Sequence, residues 1–95
     1  MKLIRTAILS LALAFGAGAV VAQDYQKGLT AAKAGDFSTA LREWQPLAEQ
    51  GVADAQRNLG ALYFFGKGVL QDYAEAAKWL RLAAEQGNVD SQGFL

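Results

Sequence analysis

Between positions 37 and 48 the apolar residues Phe37, Ala40, Leu41, Trp44, Leu47 and Ala48 fall at i, i+3, i+4, i+7, i+10 and i+11. That spacing lays one apolar stripe along an α-helix and leaves the opposite face polar. The same period runs through the rest of the chain beyond residue 23. A first helix is predicted from about Asp24 to Ala34 and a second from about Phe37 to Gln50. A third is predicted from about Ala53 to Phe65, packing through Ala55, Leu59, Leu62 and Tyr63. A fourth runs from about Tyr73 to Gln86, with Tyr73, Ala76, Ala77, Leu80, Ala83 and Ala84 facing inward and Trp79 beside them, either partly exposed or packed against a neighbouring repeat. Val89 to Leu95 opens a fifth helix that does not finish. These segments are rich in Ala, Leu, Glu, Gln, Lys and Arg, the good helix formers, and lack β-branched runs.

Glycine and aspartate supply the breaks. Gly35, Gly51 and Gly87 stand where left-handed caps end helices, and Gly66-Lys67-Gly68 breaks the third. Asp36 is placed to accept a bond from an early N–H of the second helix. Asp72 and Glu75 have the spacing of a capping box, with Glu75 reaching back to Asp72. Pro46 lies inside the second helix, where it removes one backbone bond at a cost of about 3 kcal/mol. The stripe continues past it, so a kink between Arg42 and Pro46 is expected in place of a break. Gly60 costs about 1 kcal/mol relative to Ala in mid-helix, which predicts a close approach by the next helix.

One segment is written twice. Leu47-Ala48-Glu49-Gln50-Gly51-Val52-Ala53-Asp54-Ala55-Gln56 returns as Ala83-Ala84-Glu85-Gln86-Gly87-Asn88-Val89-Asp90-Ser91-Gln92, 36 positions later. A period of this size is the mark of stacked helical hairpins, each burying its face on a neighbour. The chain therefore reads as all-α, an α-solenoid of about two antiparallel hairpins, 24–51 and 52–87, with a partial helix at 88–95. The units differ by four residues, taken up in the loop from Gly66 to Gln71.

The first 22 residues read differently. A basic start with Lys2 and Arg5 is followed by an apolar run from Ala7 to Phe15 and small residues from Gly16 to Ala22. This is the layout of a secretory signal peptide. Cleavage is expected after Ala22, or alternatively after Ala19, which makes 23–95 the mature domain and places it in the periplasm or outside the cell. The rival is an uncleaved membrane anchor, but Thr6 to Ala22 falls short of the roughly 20 apolar residues a span needs.

Cutting after Ala22 leaves seven of the nine basic residues and all nine acidic ones, a net charge of −2. No basic patch stands out, so neither nucleic acid nor, after cleavage, a membrane is an expected partner. The chain has no Cys and no His. A typical zinc site and a Ser-His or Cys-His nucleophile are excluded, and no cofactor is expected.

The remaining chemistry has structural explanations. Gly60 to Gly68 fails as a phosphate loop: five residues separate Gly60 from Gly66 where four are needed, and Gly68 replaces the magnesium-binding hydroxyl. Asp36 and Asp72 recur as helix caps. Glu49 and Glu85 recur in last turns, where a solvated face accounts for them better than acid–base work. Trp44 lies within its stripe and reads as core. Phe64 and Phe65 are either an aromatic anchor for a partner or a cover for the edge of the core. No enzymatic site is visible.

The residues Ala55-Gln56, Leu59-Gly60, Tyr63, Gly66, Gly68-Val69, Asp72-Tyr73, Ala76, Trp79 and Ala83-Ala84-Glu85-Gln86-Gly87 resemble the Sel1-like repeat. The preceding part, with Gly28, Gly35-Asp36-Phe37, Ala40, Trp44 and Leu47-Ala48-Glu49-Gln50-Gly51, looks like the related tetratricopeptide hairpin. The resemblance implies an α-solenoid that mediates protein–protein contacts as an adaptor. On the tetratricopeptide pattern the first helix of each pair lines the concave groove, which puts Asp54, Arg57, Ala61, Phe64 and Phe65 toward a peptide or protein partner. The chain departs from the pattern at Ser91-Gln92-Gly93-Phe94-Leu95, where Ala-Gln and Leu-Gly of a further repeat are due. Repeat arrays generally need about three or more units, so the alternative expectation is a truncated remnant of a longer Sel1-like protein.

Overall fold

The computed structural model describes residues 24–88. The leader at 1–22 and the partial helix beyond residue 88 lie outside the described residues. Four helices follow one another: α1, described over 24–33, α2 (Phe37–Glu49), α3 (Ala53–Phe65) and α4 (Tyr73–Glu85). They pack as two consecutive hairpins, with α3 against both α2 and α4.

The doubled segment is one backbone motif made twice. Gly51 donates its N–H to the carbonyl of Ala48 and Val52 donates to that of Leu47, both at 3.0 Å. Gly87 donates to Ala84 at 2.9 Å and Asn88 to Ala83 at 3.1 Å. These paired bonds close the last turn and satisfy carbonyls that a helix end leaves open. They require a left-handed residue, and Gly51 and Gly87 sit at φ +94° and +88°. The same two bonds end α1.

At the other ends, Asp36 accepts from Thr39 N–H at 3.2 Å and Asp72 from Glu75 N–H at 3.1 Å. The capping box is only half made. Asp72 N–H goes to the carbonyl of Tyr63 at 3.0 Å, and the Glu75 carboxylate pairs with Lys78 at 3.2 Å. The 66–71 loop folds back across the end of α3, so a backbone carbonyl reaches the donor that Glu75 was expected to take. α2 runs without a break through Pro46.

The core joins Ala40, Trp44, Leu47 and Ala48 of α2, Ala55, Leu59 and Leu62 of α3, and Trp79 of α4, with Tyr25, Leu29 and Ala32 of α1 packed against them. α3 is covered on two sides, which is why Gln56 and Asn58 are buried with its apolar residues. Gly60 does mark a close approach: a Cβ there would lie 2.7 Å from Leu80 Cγ and 3.2 Å from the carbonyl oxygen of Ala76.

On α4 one aromatic assignment is reversed and another is decided. Tyr73, expected inward, is 61% exposed, and Trp79, expected at the margin, is 6% exposed within the core. Tyr73 opens the helix and tilts its ring onto Phe64 at 5.2 Å, beyond the end of the packed seam. The approach at Gly60 brings α4 close enough that the buried stripe widens to include Trp79.

Candidate functional site

A hollow of about 240 Å³ opens where α1, the start of α2 and the end of α3 meet the loop after α3. Its walls are Ala32, Phe37, Trp44, Asn58, Ala61, Leu62, Phe65 and Lys67. Each arrives there for a local reason. Asn58, Ala61, Leu62 and Phe65 share one face of α3 at i, i+3, i+4 and i+7. Trp44 is pinned by its indole N–H, which donates to the carbonyl of Tyr25 at 3.2 Å. Asn58 is held by a 3.0 Å bond from Nδ2 to the hydroxyl of Tyr25. Phe37 opens α2 directly after the Asp36 cap.

Lys67 arrives through the loop. Its backbone N–H bonds to the carbonyl of Leu62 at 2.9 Å. Gly68 then lies so close to α2 that a Cβ would meet the carbonyl carbon and oxygen of Phe37 at 2.6 and 2.7 Å. This contact carries Lys67 to the mouth of the hollow, where Nζ is 5.0 Å from the centre of the Phe37 ring and 5.8 Å from that of Phe65. Both distances suit attraction between a cation and an aromatic face.

The five sequence candidates do not converge on one point. Ala61 and Phe65 line the hollow, and Phe65 is 55% exposed. Phe64 is half-buried, its ring against Tyr73 and edge-on to Phe65 at 5.0 Å. Arg57 is half-buried earlier on the helix. Asp54 is exposed in the first turn of α3 and accepts a 3.1 Å bond from Asn88. At 1.5 Å per residue it lies roughly 16 Å along the helix from Phe65. Sequence reasoning missed Ala32, Asn58 and Lys67 as wall residues. The sign available for Lys67 was its place between two glycines, which lets the loop turn back onto α2.

Among the described residues no two titratable side chains pair in the hollow. Outside it, the Asp36 carboxyl is held below its ordinary value of 3.8 by the Thr39 side chain first, then by Thr39 N–H and the charge of Arg42. Among the described residues no cluster of three or more His, Cys, Asp or Glu is placed to hold a metal, and no helix is long and apolar enough to cross a membrane. The arrangement suits a side chain or short segment of another molecule. Ligand pockets typically run from about 300 to 1,000 Å³, and this hollow is smaller.

Comparison with known proteins agrees with the second hairpin. The Sel1 repeat model matches residues 6–30 and 53–88. The second match covers α3, the loop and α4. The first ends in α1 and takes in most of the stretch read above as a leader. An uncharacterized protein of Neisseria meningitidis serogroup B is 43% identical over 54 residues, 57% of this chain. The aligned stretch is 12% of that relative's length. No solved structure matches the chain. The family match covers more than half of the sequence, and its second copy coincides with a complete helical hairpin; the chain belongs to the Sel1 repeat family.

Proposed function

We propose that this chain is an exported, non-catalytic adaptor that binds a peptide or protein partner at the hollow between α1, α2 and α3. The observation that carries this reading is Phe65. It stays more than half exposed beside a closed core, at the rim of a concavity whose other walls are already fixed. An aromatic residue at the edge of a preformed hollow is the kind of group that anchors interfaces. The family supplies the broader support, since Sel1 repeats generally mediate protein interactions. The leader pattern at 1–22 supports export.

The test is a comparison of envelope proteins captured by the wild-type chain and by Phe65→Ser and Ala61→Arg, the second filling the hollow. Capture of the same protein is expected to fall with both. Equal capture by all three would sink the reading. N-terminal sequencing after expression in a bacterial host tests export, with Gln23 expected as the first residue.

A second reading is that the two units act only as part of a longer repeat protein. What favours it is that the Neisseria relative extends far beyond the matched stretch. Thermal melting followed by circular dichroism decides between them: a cooperative transition supports the adaptor, and a non-cooperative one supports the part.

A further inference from the structure

We infer that the hollow takes a peptide segment that offers an apolar side chain next to a carboxylate, with the carboxylate on Lys67 Nζ; this rests on the hollow being a protein-binding site. The apolar half follows from its walls, which include Ala32, Ala61, Leu62 and two phenylalanines. At about 240 Å³ it has room for one side chain and falls below the usual range for cofactors and small-molecule ligands.

The anionic half follows from Lys67. Its ammonium lies over two rings at the mouth, and among the described residues no carboxylate pairs with it; the ion pair found among them joins Lys78 and Glu75 within α4. The rings attract the cation through their faces and leave its three N–H donors uncommitted. Asp36, the acid next in sequence to Phe37, is engaged by Thr39 at the start of α2. A neutral partner seated on the hollow would strip water from the ammonium and return nothing, and a basic one would be repelled. An acidic one matches it. The position of Lys67 is set by backbone, through its bond to Leu62 and the contact of Gly68 with Phe37.

One further polar residue lines the hollow. Asn58 is 6% exposed, and its Nδ2 is committed to the hydroxyl of Tyr25. The apolar walls and the Lys67 ammonium are therefore the two features that a peptide side chain and its neighbouring charge would meet.

The test uses the full 95-residue chain, labelled for NMR, and blocked Gly-Ser-Leu-Xaa-Ser-Gly peptides with Asp, Asn or Lys at Xaa. An unblocked Gly-Ser-Gly-Leu peptide supplies a terminal carboxylate in place of a side-chain one. The Asp peptide is expected to shift the resonances of Ala61, Phe65 and Lys67. The Asn peptide is expected to bind up to about fivefold more weakly, the scale of a single rim ion pair, and the Lys peptide more weakly still. Lys67→Gln is expected to erase the difference between Asp and Asn, and Lys67→Arg to preserve it. Circular dichroism confirms that both variants are folded. The unblocked peptide, set against the blocked Asp peptide, shows which source of carboxylate the hollow prefers.

Equal affinity for Asp and Asn peptides at the hollow would overturn the inference and leave the binding site standing. An Asp preference unchanged in Lys67→Gln would overturn it as well. If no peptide shifts these resonances, the inference and the binding reading fall together.

Discussion

The indole N–H of Trp44 donates to the carbonyl of Tyr25 at 3.2 Å, and the same ring lies directly on Gly28, filling the place where a Cβ would stand. Leu80 sits on Gly60 in the second hairpin in the same way. Each hairpin is thus closed by one large side chain from its second helix resting on a glycine of its first.

Gly28→Ala is therefore destabilising although Ala is the better helix former. The new methyl meets a rigid ring that is fully packed and hydrogen-bonded, and overpacking of this kind costs about 1–3 kcal/mol against a helical gain of about 1. Gly60→Ala meets Leu80, which can rotate, and the carbonyl of Ala76, which cannot. Urea titrations of both variants check this. A midpoint at or above wild type for Gly28→Ala would remove the indole contact as the reason for the glycine.

Gln86 Nε2 donates to the carbonyl of Gly51 at 2.9 Å and to Gln56 Oε1 at 2.8 Å, while Gln56 Nε2 donates to the carbonyl of Ala48 at 3.1 Å. The glutamine of the second doubled segment thus ties that helix end to the first. Gln86→Ala is expected to cost about 1–2 kcal/mol, because the buried Gln56 oxygen loses its donor. Gln86→Glu is expected to cost more, since it sets a carboxylate against two acceptors. The comparison is by thermal denaturation near neutral pH.

Trp79 differs from Trp44 in one respect. Both are buried, but Trp79 Nε1 has no hydrogen-bond partner among the described residues. Replacing Trp44 by Phe loses packing and a made hydrogen bond. Replacing Trp79 by Phe loses packing and removes a donor whose burial already costs about 1–3 kcal/mol. The Trp79→Phe variant is expected to be the more stable of the two, as read from their urea midpoints.

Asp36 gives the acid limb of the stability curve a defined cause. Its carboxyl is lowered in the folded chain by the Thr39 side chain and N–H and by Arg42. A lowered folded value means that its contribution is present above the unfolded value, near 3.8, and is lost as pH falls through the lower folded value. Stability is expected to fall on acidification below that point, and Asp36→Asn, which still caps but does not titrate, is expected to fall less steeply. Parallel slopes for the two proteins would remove Asp36 from the acid response.

The helices and their ends were legible because their causes are local. Asp36 reaches Thr39 and Asp72 reaches Glu75 within three residues, and the bonds around Gly51 and Gly87 close within one turn. Gly60 was legible too, since a glycine inside a good helix needs a packing reason. Glu75 was misread because the competing acceptor for Asp72 N–H is Tyr63, nine residues away across a loop. The hollow was legible only in part. Ala61 and Phe65 were implied by the resemblance to the tetratricopeptide pattern, but Ala32, Phe37 and Lys67 belong to other elements and meet α3 only after the chain folds back.

By itself the sequence determined an all-α chain of two hairpins, their caps and their breaks, because helical period and capping act over one or two turns, and its repeated motif residues carried the resemblance to the family. Tertiary structure decided how far α4 is turned, so that Trp79 is buried and Tyr73 is not, and it decided where Lys67 lies. Both depend on the distance between helices. Gly60 and Gly68 set that distance by what they lack, and how near the neighbouring backbone comes is fixed only when the whole chain is packed.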